Sequence, residues 1–203
     1  MLKTKEMMPC AVAVRRIVLS VIPTSETCAV MPDHEREIYK VPIVGMILLV
    51  PAWKLQASGF GAAEIVMDLY SRRIVGWAMD DHLRADLPLA ALKMAISAQW
   101  PGAGLLHHSD RGVQYASENY RKVLQSAGFK ASMSRKGDCY DNAPMESFFH
   151  TLKTELVHRR HYATRAEAKH DIFAYIEGFY NRTRRHSTIG YISPIEMELK
   201  AAA

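Results

Sequence analysis

From Gly59 onward, short apolar segments rich in β-branched residues alternate with longer segments of helical period, and this alternation restricts the fold of the chain. The first two apolar segments, 61–68 and 73–79, are joined by a short turn and are typical of a β-hairpin. A helix, a strand, a second helix, a further strand and two more helices follow in that order. Because strands and helices in this order pack as layers, the pattern predicts a mixed α/β fold.

Local signals at the ends of these segments set the predicted boundaries of the helices. Asp86 is a candidate N-cap of the first helix, Ser117 caps the second, and Asn142 is a candidate cap of the third. The last helix begins with a capping box formed by Thr164 and Glu167. Gly190 and Pro194 then break the chain. The predicted helices cover about 86–100, 117–127, 143–157 and 164–180, and the predicted strands after the hairpin are 104–108 and 129–134.

Residues 1–58 differ from the rest of the chain because they show neither a helical nor an alternating period. We therefore expect an irregular N-terminal segment over 1–58 and a single core domain over 59–200. The apolar run 41–53 contains prolines and is shorter than a membrane span requires, so we expect no membrane association.

The distribution of charge favours a polyanionic partner for the second half of the chain. The net charge is +5, and residues 101–203 hold 15 Lys and Arg against 11 Asp and Glu, together with seven of the nine histidines. Apolar residues make up 49% and charged residues 23%, which is typical of globular proteins. Cys10, Cys28 and Cys139 form no metal-ligand spacing and indicate free thiols in a reducing compartment, the cytoplasm.

Asp110 directly follows an apolar strand, in the segment HHSDRGVQY. Ligands of open α/β sheets bind beyond the carboxyl ends of the strands, which makes Asp110 a candidate metal ligand. The alternative is that Asp110 only opens a turn with the residues that follow it. His107 and His108 are neighbours on the strand and point to opposite faces, so we predict structural roles for both rather than a shared metal ion.

Glu146 lies at the start of a predicted helix, after a polar loop. Steps of three and four residues place Glu146, His150 and Lys153 on one face of this helix. The alternative is that Glu146 stabilises the first helical turn through the helix dipole. Taken singly, neither Asp110 nor Glu146 decides between a catalytic and a structural role.

Four strings of sequence, taken together, resemble a known family. They are MDLYSRRIVGW, HHSDRGVQYAS, RKGDCYDNAPMESFFHTLKTEL and YNRTRRHSTIGYISP. They resemble the catalytic core of bacterial insertion-sequence transposases, which are relatives of the retroviral integrases with an Asp, Asp, Glu active site. The resemblance covers roughly 65–197. In that family about 35 residues separate the last Asp from the Glu, and 35 residues lie between Asp110 and Glu146.

This resemblance implies a ribonuclease-H-like fold, with a mixed sheet and helices on both faces, and an activity that cuts and joins DNA. Asp110 and Glu146 would then be catalytic residues and ligands of Mg²⁺ or Mn²⁺. In such reactions two metal ions about 3.5–4 Å apart activate the attacking oxygen and stabilise the leaving oxygen. Carboxylate oxygens are ligands that suit Mg²⁺.

Basic residues around Glu146 are candidate contacts for DNA phosphates. Lys153 matches the basic residue that commonly follows the catalytic Glu by two helical turns in the family. Two further clusters follow predicted helices, and phosphate contacts to a duplex need such cations. The alternative is that these cations only stabilise helix ends. The clusters consist of Arg159 and Arg160, and of Arg182, Arg184 and Arg185.

The sequence departs from the family at the first catalytic Asp. In relatives this residue lies on the opening strand, in a segment similar to Asp-Ile-Thr-Tyr, whereas residues 45–54 read GMILLVPAWK and contain no acid. We therefore expect a degraded first strand and impaired catalysis. One hypothesis is a shifted reading frame, because codons exist for Met46–Lys54 that encode Asp-Ile-Thr-Cys-Thr-Arg-Val-Glu when read two nucleotides later. Reading the gene in all three frames tests this hypothesis.

Three functions remain open on the sequence alone. The first is a metal-dependent transposase with impaired strand cleavage and joining. The second is an inactive transposase remnant that binds DNA, and the third is a ribonuclease-H-like nuclease. The transposase reading predicts double-stranded DNA as the partner, and the nuclease would act on nucleic acid without transposition. The family resemblance also implies self-association.

Overall fold

A five-stranded mixed sheet forms the centre of the molecule in a computed structural model, which describes residues 43–50, 61–82, 84–134 and 143–202, the first of these ranges by its backbone. The strands lie in the order β3-β2-β1-β4-β5. Their bounds are Ile43–Val50 for β1, Ala62–Met67 for β2, Ile74–Asp80 for β3, Leu106–Ser109 for β4 and Lys130–Met133 for β5.

Strand β1 occupies the middle of this sheet and fixes the register of its neighbours. It pairs antiparallel with β2, where Met46 lies opposite Met67, and parallel with β4, where Ile47 lies opposite Ser109. Strand β5 extends the parallel half by pairing with β4. The carboxyl ends of β1, β4 and β5 therefore meet at one edge of the sheet.

Helices cover both faces of the sheet. Their bounds are Asp86–Gln99 for α1, Glu118–Ser126 for α2, Ala143–Glu155 for α3, Arg165–Ala174 for α4 and Pro194–Ala202 for α5. A π-helical turn, Tyr175–Tyr180, continues α4. In the described part of the chain, no helix has the length and apolar character needed to cross a membrane.

The alternation of side chains along β2 divides the core in two. Ala63, Ile65 and Met67 pack against α3 and α4, in a cluster that also contains Phe148 and Ile176. Val66, on the opposite face, packs with residues of α1 and α2 in the second cluster. Successive residues of a strand point to opposite faces, so a single strand supports both halves of the core.

The structure confirms the mixed sheet, the helices on both faces and the β2–β3 hairpin. It also confirms the last predicted capping box, because the Glu167 backbone N–H donates to the Thr164 hydroxyl oxygen at 3.2 Å. One predicted N-cap is wrong, because Asp86 is the first residue of α1 and Ala85 is its N-cap. Ser117 is the N-cap residue of α2, as predicted, although its hydroxyl makes no capping hydrogen bond.

The first strand is the main difference from the sequence-based expectation. The prediction was a degraded first strand and a core beginning at residue 59, but Ile43–Val50 forms the central strand of the sheet. A continuous apolar run shows no alternation when a strand is covered on both sides, which is why no period marked this one. The predicted helix cap at Asn142 lies outside the described residues.

Asn181, which follows the π-helical turn, is fully buried and forms hydrogen bonds with the edge strand β3. Its side-chain oxygen accepts from the Ile74 backbone N–H at 2.9 Å, and its side-chain amide donates to the Ile74 carbonyl at 3.0 Å. A side-chain amide can satisfy a backbone N–H and C=O together because it has both a donor and an acceptor.

We expect Asn181→Ala to lower the free energy of unfolding by about 2–4 kcal/mol, since it leaves two buried backbone groups without partners. Chemical denaturation of the purified chain measures this change. Asn119→Ala makes the same substitution at an exposed position of α2 and should cost well under half as much. Equal losses in the two variants would contradict the proposed role of Asn181.

Candidate catalytic site

Asp110 lies directly after β4, at the edge where the parallel strands end. One of its oxygens, Oδ1, accepts from the Gly112 backbone N–H at 2.7 Å. Partial burial raises the pKa of this carboxyl, and the Gly112 hydrogen bond and the charge of His108 oppose that change. The predicted turn is therefore present, and it leaves Oδ2 without a hydrogen bond from any described residue.

Glu146 lies in the first turn of α3 and is exposed. It forms no hydrogen bond or ion pair with any residue that the structure describes. Lys153 follows two turns later on the same helix and is half-buried. Because α3 packs against β1 and β1 pairs with β4, Asp110 and Glu146 lie on two elements that share β1 as a neighbour.

Strand β1 brings no acid to this edge of the sheet. Its sequence, IVGMILLV, is apolar apart from one glycine. The pairing of Ile47 with Ser109 places Leu48 level with Asp110, which follows Ser109. The position on β1 that lies level with Asp110 is therefore held by an apolar residue.

Glu64 lies on β2, the strand that pairs antiparallel with β1. It is a buried carboxyl, and its charge interacts with that of Asp110. It is fully buried and pairs with Leu49 of β1. The Tyr115 hydroxyl donates to its Oε2 at 3.1 Å, while Oε1 is buried without a partner among the described residues. Burial raises the pKa of Glu64 to about 9, the Tyr115 hydrogen bond lowers it, and the charge of Asp110 raises it further.

Sequence reasoning did not select Glu64. The available signal was a carboxylate inside the apolar strand AAEIVM, at a position where a period-2 pattern places a core residue. Such a group is costly to bury unless it is paired or neutral. Near pH 7 it is therefore mostly protonated.

The histidine pair on β4 adopts structural roles, as its position on a strand predicts. His107 is buried, and its Nε2 lies 2.7 Å from the Tyr120 hydroxyl. On the other side of the strand, His108 contacts the hydroxyls of Ser132 and Ser134, at 3.0 and 3.2 Å. These contacts hold the end of β4 against α2 and β5.

Asp68 serves the β2–β3 turn. Its carboxylate accepts from the backbone N–H groups of Tyr70 and Ser71, at 3.1 and 3.4 Å, and from the Ser71 hydroxyl at 2.7 Å. Both oxygens are thus engaged within the turn.

The predicted DNA-binding arginines fall into two groups. Arg182 and Arg185 are exposed, as are Arg159 and Arg160. Arg184 differs because it is half-buried and its guanidinium donates to both oxygens of Glu155, at 2.9–3.1 Å. A bidentate pair of this kind fixes the arginine and occupies most of its donors. Arg184 therefore joins α3 to the C-terminal segment.

Asp110 and Glu146 are not part of a close cluster of metal-ligating groups. Within the described ranges, only Asp80, Asp81 and His82 place three possible ligand atoms within 4.8 Å of one another. Those residues lie at the end of β3, and the two acids are exposed.

Two family models match this chain. Both are described as integrase core domains, and they match residues 56–139 and 146–201. Between them they include Asp110, Glu146 and all the basic residues considered above.

Curated proteins of insertion sequences are also similar. The chain is 52% identical over 129 residues to the IS600 uncharacterized 31 kDa protein of Shigella sonnei, covering 64% of this chain and 47% of that protein. It is 46% identical over 132 residues to the IS904 transposase of Lactococcus lactis, covering 65% and 52%. Against the InsF transposase of IS3A from Escherichia coli, it is 44% identical over 139 residues, covering 68% and 48%. The chain thus spans about half the length of these relatives.

Two retroviral structures share the fold. The HTLV-2 integrase catalytic core domain, solved in complex with magnesium in a trimeric form, matches with a TM-score of 0.55 and 10% identity over 77% of this chain and 95% of that one. The BIV integrase catalytic core domain matches with a TM-score of 0.54 and 14% identity over the same shares. The ribonuclease-H-like fold is therefore confirmed.

The sheet order, the matched residues and the structural likeness define an integrase core domain, and the chain belongs to that family. Within that family, the chain is similar to insertion-sequence transposases over about half of their length, as the four sequence strings predict.

We expect Glu64→Gln to stabilise the chain increasingly as the pH rises. The pKa of Glu64 is raised from 4.5 to about 9, so the unfolded state loses this proton at lower pH than the folded state. The cost of Glu64 therefore grows above pH 4.5 and levels off near pH 9, reaching roughly 3 kcal/mol at pH 7.

Urea denaturation at pH 5 and pH 8 tests this expectation. The gain in unfolding free energy from Glu64→Gln should be larger at pH 8. Glu177→Gln makes the same chemical change at a partly exposed position for comparison. A gain from Glu64→Gln that is equal at both pH values would contradict the assignment.

Proposed function

We propose that this chain is the catalytic portion of a DNA transposase whose cleavage and joining of strands are impaired. The observation that carries this proposal is the placement of Asp110 and Glu146 on elements that flank an acid-free β1. The matched segment spans about half the length of these relatives, so the proposal concerns only the chemistry of this core.

The two carboxylates fit a hard divalent cation. Among the described residues, one oxygen of Asp110 receives no hydrogen bond and Glu146 has no partner. Carboxylate oxygens with several waters are the usual environment of protein-bound Mg²⁺. When bound, Mg²⁺ or Mn²⁺ would activate the attacking oxygen and stabilise the leaving oxygen of a phosphodiester. The protein would hold the cation through Asp110 and Glu146.

Impairment follows from the number of carboxylates. Two metal ions share their ligands, and two carboxylates rarely hold both. Glu64 is a poor replacement, since it is fully buried and its raised pKa keeps it largely neutral. We infer that metal affinity and the rate of phosphoryl transfer are both below those of a core with three acids. The same observation favours the second candidate function, a remnant that binds DNA without turnover.

The basic surface supplies the contacts to DNA in this proposal. Lys153 lies on the helix of Glu146 and is the nearest of these cations to it in sequence. The exposed arginines at 159, 160, 182 and 185 can reach phosphate oxygens, whereas Arg184 is engaged with Glu155. Double-stranded DNA is the proposed substrate, and self-association and a cytoplasmic location are proposed from the family.

A strand-transfer assay tests the catalytic role of the two acids. Labelled duplexes that carry the ends of the mobile element are incubated with Mg²⁺ or Mn²⁺ and the full chain. We expect weak joining that falls at least about 100-fold in Asp110→Asn and in Glu146→Gln, because each removes a negatively charged metal ligand. Glu177→Gln should retain the wild-type level.

The products of that assay separate the candidate functions. Joined strands support the transposase, nicking alone supports a nuclease, and binding without either product supports the remnant. Joining that survives Asp110→Asn unchanged would refute the assignment of the site.

An acid introduced on β1 should raise activity. Leu48 lies level with Asp110 in the strand register, and Ile47 lies beside Ser109. We expect Leu48→Asp or Ile47→Asp to increase joining at least about tenfold, since a third carboxylate improves metal binding. Adding Asp110→Asn to the improved variant should abolish the gain. No increase in either folded variant would show that the missing acid is not the limiting defect.

A further inference from the structure

A cavity of about 240 Å³ opens beside the first turn of α3, away from the carboxyl of Asp110. Its floor is apolar and includes the buried rings of Phe148 and Tyr180. Two arginines, Arg72 and Arg184, and His186 line its walls. The described lining contains no acidic residue.

The two arginines differ in whether a carboxylate neutralises their charge. Arg184 is held by Glu155, and its guanidinium lies 5.9 Å from the centre of the Tyr180 ring. The guanidinium of Arg72 forms no hydrogen bond or ion pair with any described residue, although the charge of Asp68 acts on it. Burial lowers the pKa of Arg72, which means that its charge is only partly solvated or compensated. An anion in the cavity would compensate it.

His186 adds a neutral ring to the cavity lining. Burial and the neighbouring arginines lower the pKa of His186 to about 4, while a backbone hydrogen bond with Tyr180 raises it, so the ring is neutral near pH 7. Its Nδ1 lies 3.5 Å from the Arg184 Nη1. Its Nε2 is buried, and the neutral ring adds no positive charge that would compete with the two arginines for an anion.

The remaining wall also favours an anion. Ala143, Pro144 and Ser147 belong to the first turn and a half of α3, where the helix dipole attracts negative charge. The hydroxyls of Ser147, Thr151 and Thr188 offer donors around the cavity. Cationic and hydroxyl donors therefore line one volume from three separate segments of the chain.

We propose that this cavity is a phosphate-binding site that holds one backbone phosphate of bound DNA beside the N-terminus of α3. Phosphate oxygens match the unpaired guanidinium of Arg72 and the hydroxyl donors around the cavity. The inference rests on the proposed DNA function and names the place where one phosphate is bound. It also gives α3 a second role, because the helix that carries Glu146 would be oriented directly by the substrate.

Arg72 offers a clean test because its backbone is in the left-handed region, with φ of 64°. Glycine adopts this conformation without steric cost, so Arg72→Gly removes the side chain and is not expected to weaken the fold. Arg72→Gln is the second variant, which keeps most of the side chain without its charge. Arg121→Gln, at an exposed position of α2, is the matched control. Thermal unfolding checks that all variants are folded.

Duplex binding is measured by fluorescence anisotropy at salt concentrations from about 50 to 200 mM. We expect both Arg72 variants to bind about tenfold more weakly than wild type, in keeping with the loss of one charge-assisted contact. The slope of log affinity against log salt should become shallower by about 0.9, as for one lost phosphate contact. If both Arg72 variants match Arg121→Gln in affinity and slope, the proposal is wrong.

The second measurement is the effect of inorganic phosphate on the unfolding temperature. Phosphate should raise the unfolding temperature of wild type and of Arg121→Gln, and should not raise that of either Arg72 variant. Phosphate protection without any duplex binding by wild type would overturn the DNA assignment together with the proposed function, and would leave a site for free phosphate. Equal phosphate protection of wild type and both Arg72 variants would overturn the site itself.

Discussion

The pairing of β1 between β2 and β4 is the constraint on which the rest of the structure depends. Strand β1 pairs antiparallel with β2 and parallel with β4. Its register therefore fixes the position along the sheet of both Asp110 and the β2 side chains. Both halves of the core meet on β2, and α3 reaches the sheet through β1. A change in the register of β1 by one residue would exchange the faces of the strand and disconnect the two halves.

The C-terminal segment shows how the same fold divides its basic residues between structure and surface. Arg184 and Asn181 are turned inward, to Glu155 and to the backbone of Ile74, and they close the second half of the chain onto the sheet. Arg182 and Arg185 remain exposed. Because adjacent arginines serve different purposes, net charge alone overstates the surface that DNA can contact.

Much of the fold could be predicted from the sequence, because hairpins and amphipathic helices produce recognisable patterns in short stretches of sequence. The β2–β3 hairpin, α3 and the Thr164 capping box belong to this class. Strand β1 could not be recognised, since an uninterrupted apolar run fits a buried strand and a buried helix equally. Pro194 was interpreted as a break, although proline is also favoured in the first turn of a helix, and α5 begins there.

Residues of the candidate site could be predicted only where their position in the sequence was sufficient to identify them. Asp110 and Glu146 could be selected from their positions after a strand and at a helix start. The pair of Arg184 with Glu155, the burial of Glu64 beneath Tyr115, and the cavity beside Arg72 could not. Each joins residues that are far apart in sequence, and only the packing of the sheet against its helices brings them together.

The apolar character of β1 also bears on folding without a cofactor. Active sites built from several ionised carboxylates repel themselves until a cation neutralises them. Here the central strand contributes no charge, and Glu64 next to it is mostly neutral at physiological pH. A site with three ionised acids makes folding depend on a divalent cation. This dependence is not expected of a scaffold with an apolar β1 and a neutral Glu64. In the impaired core that we propose, the fold would not require a divalent ion, and stability would not trade against activity.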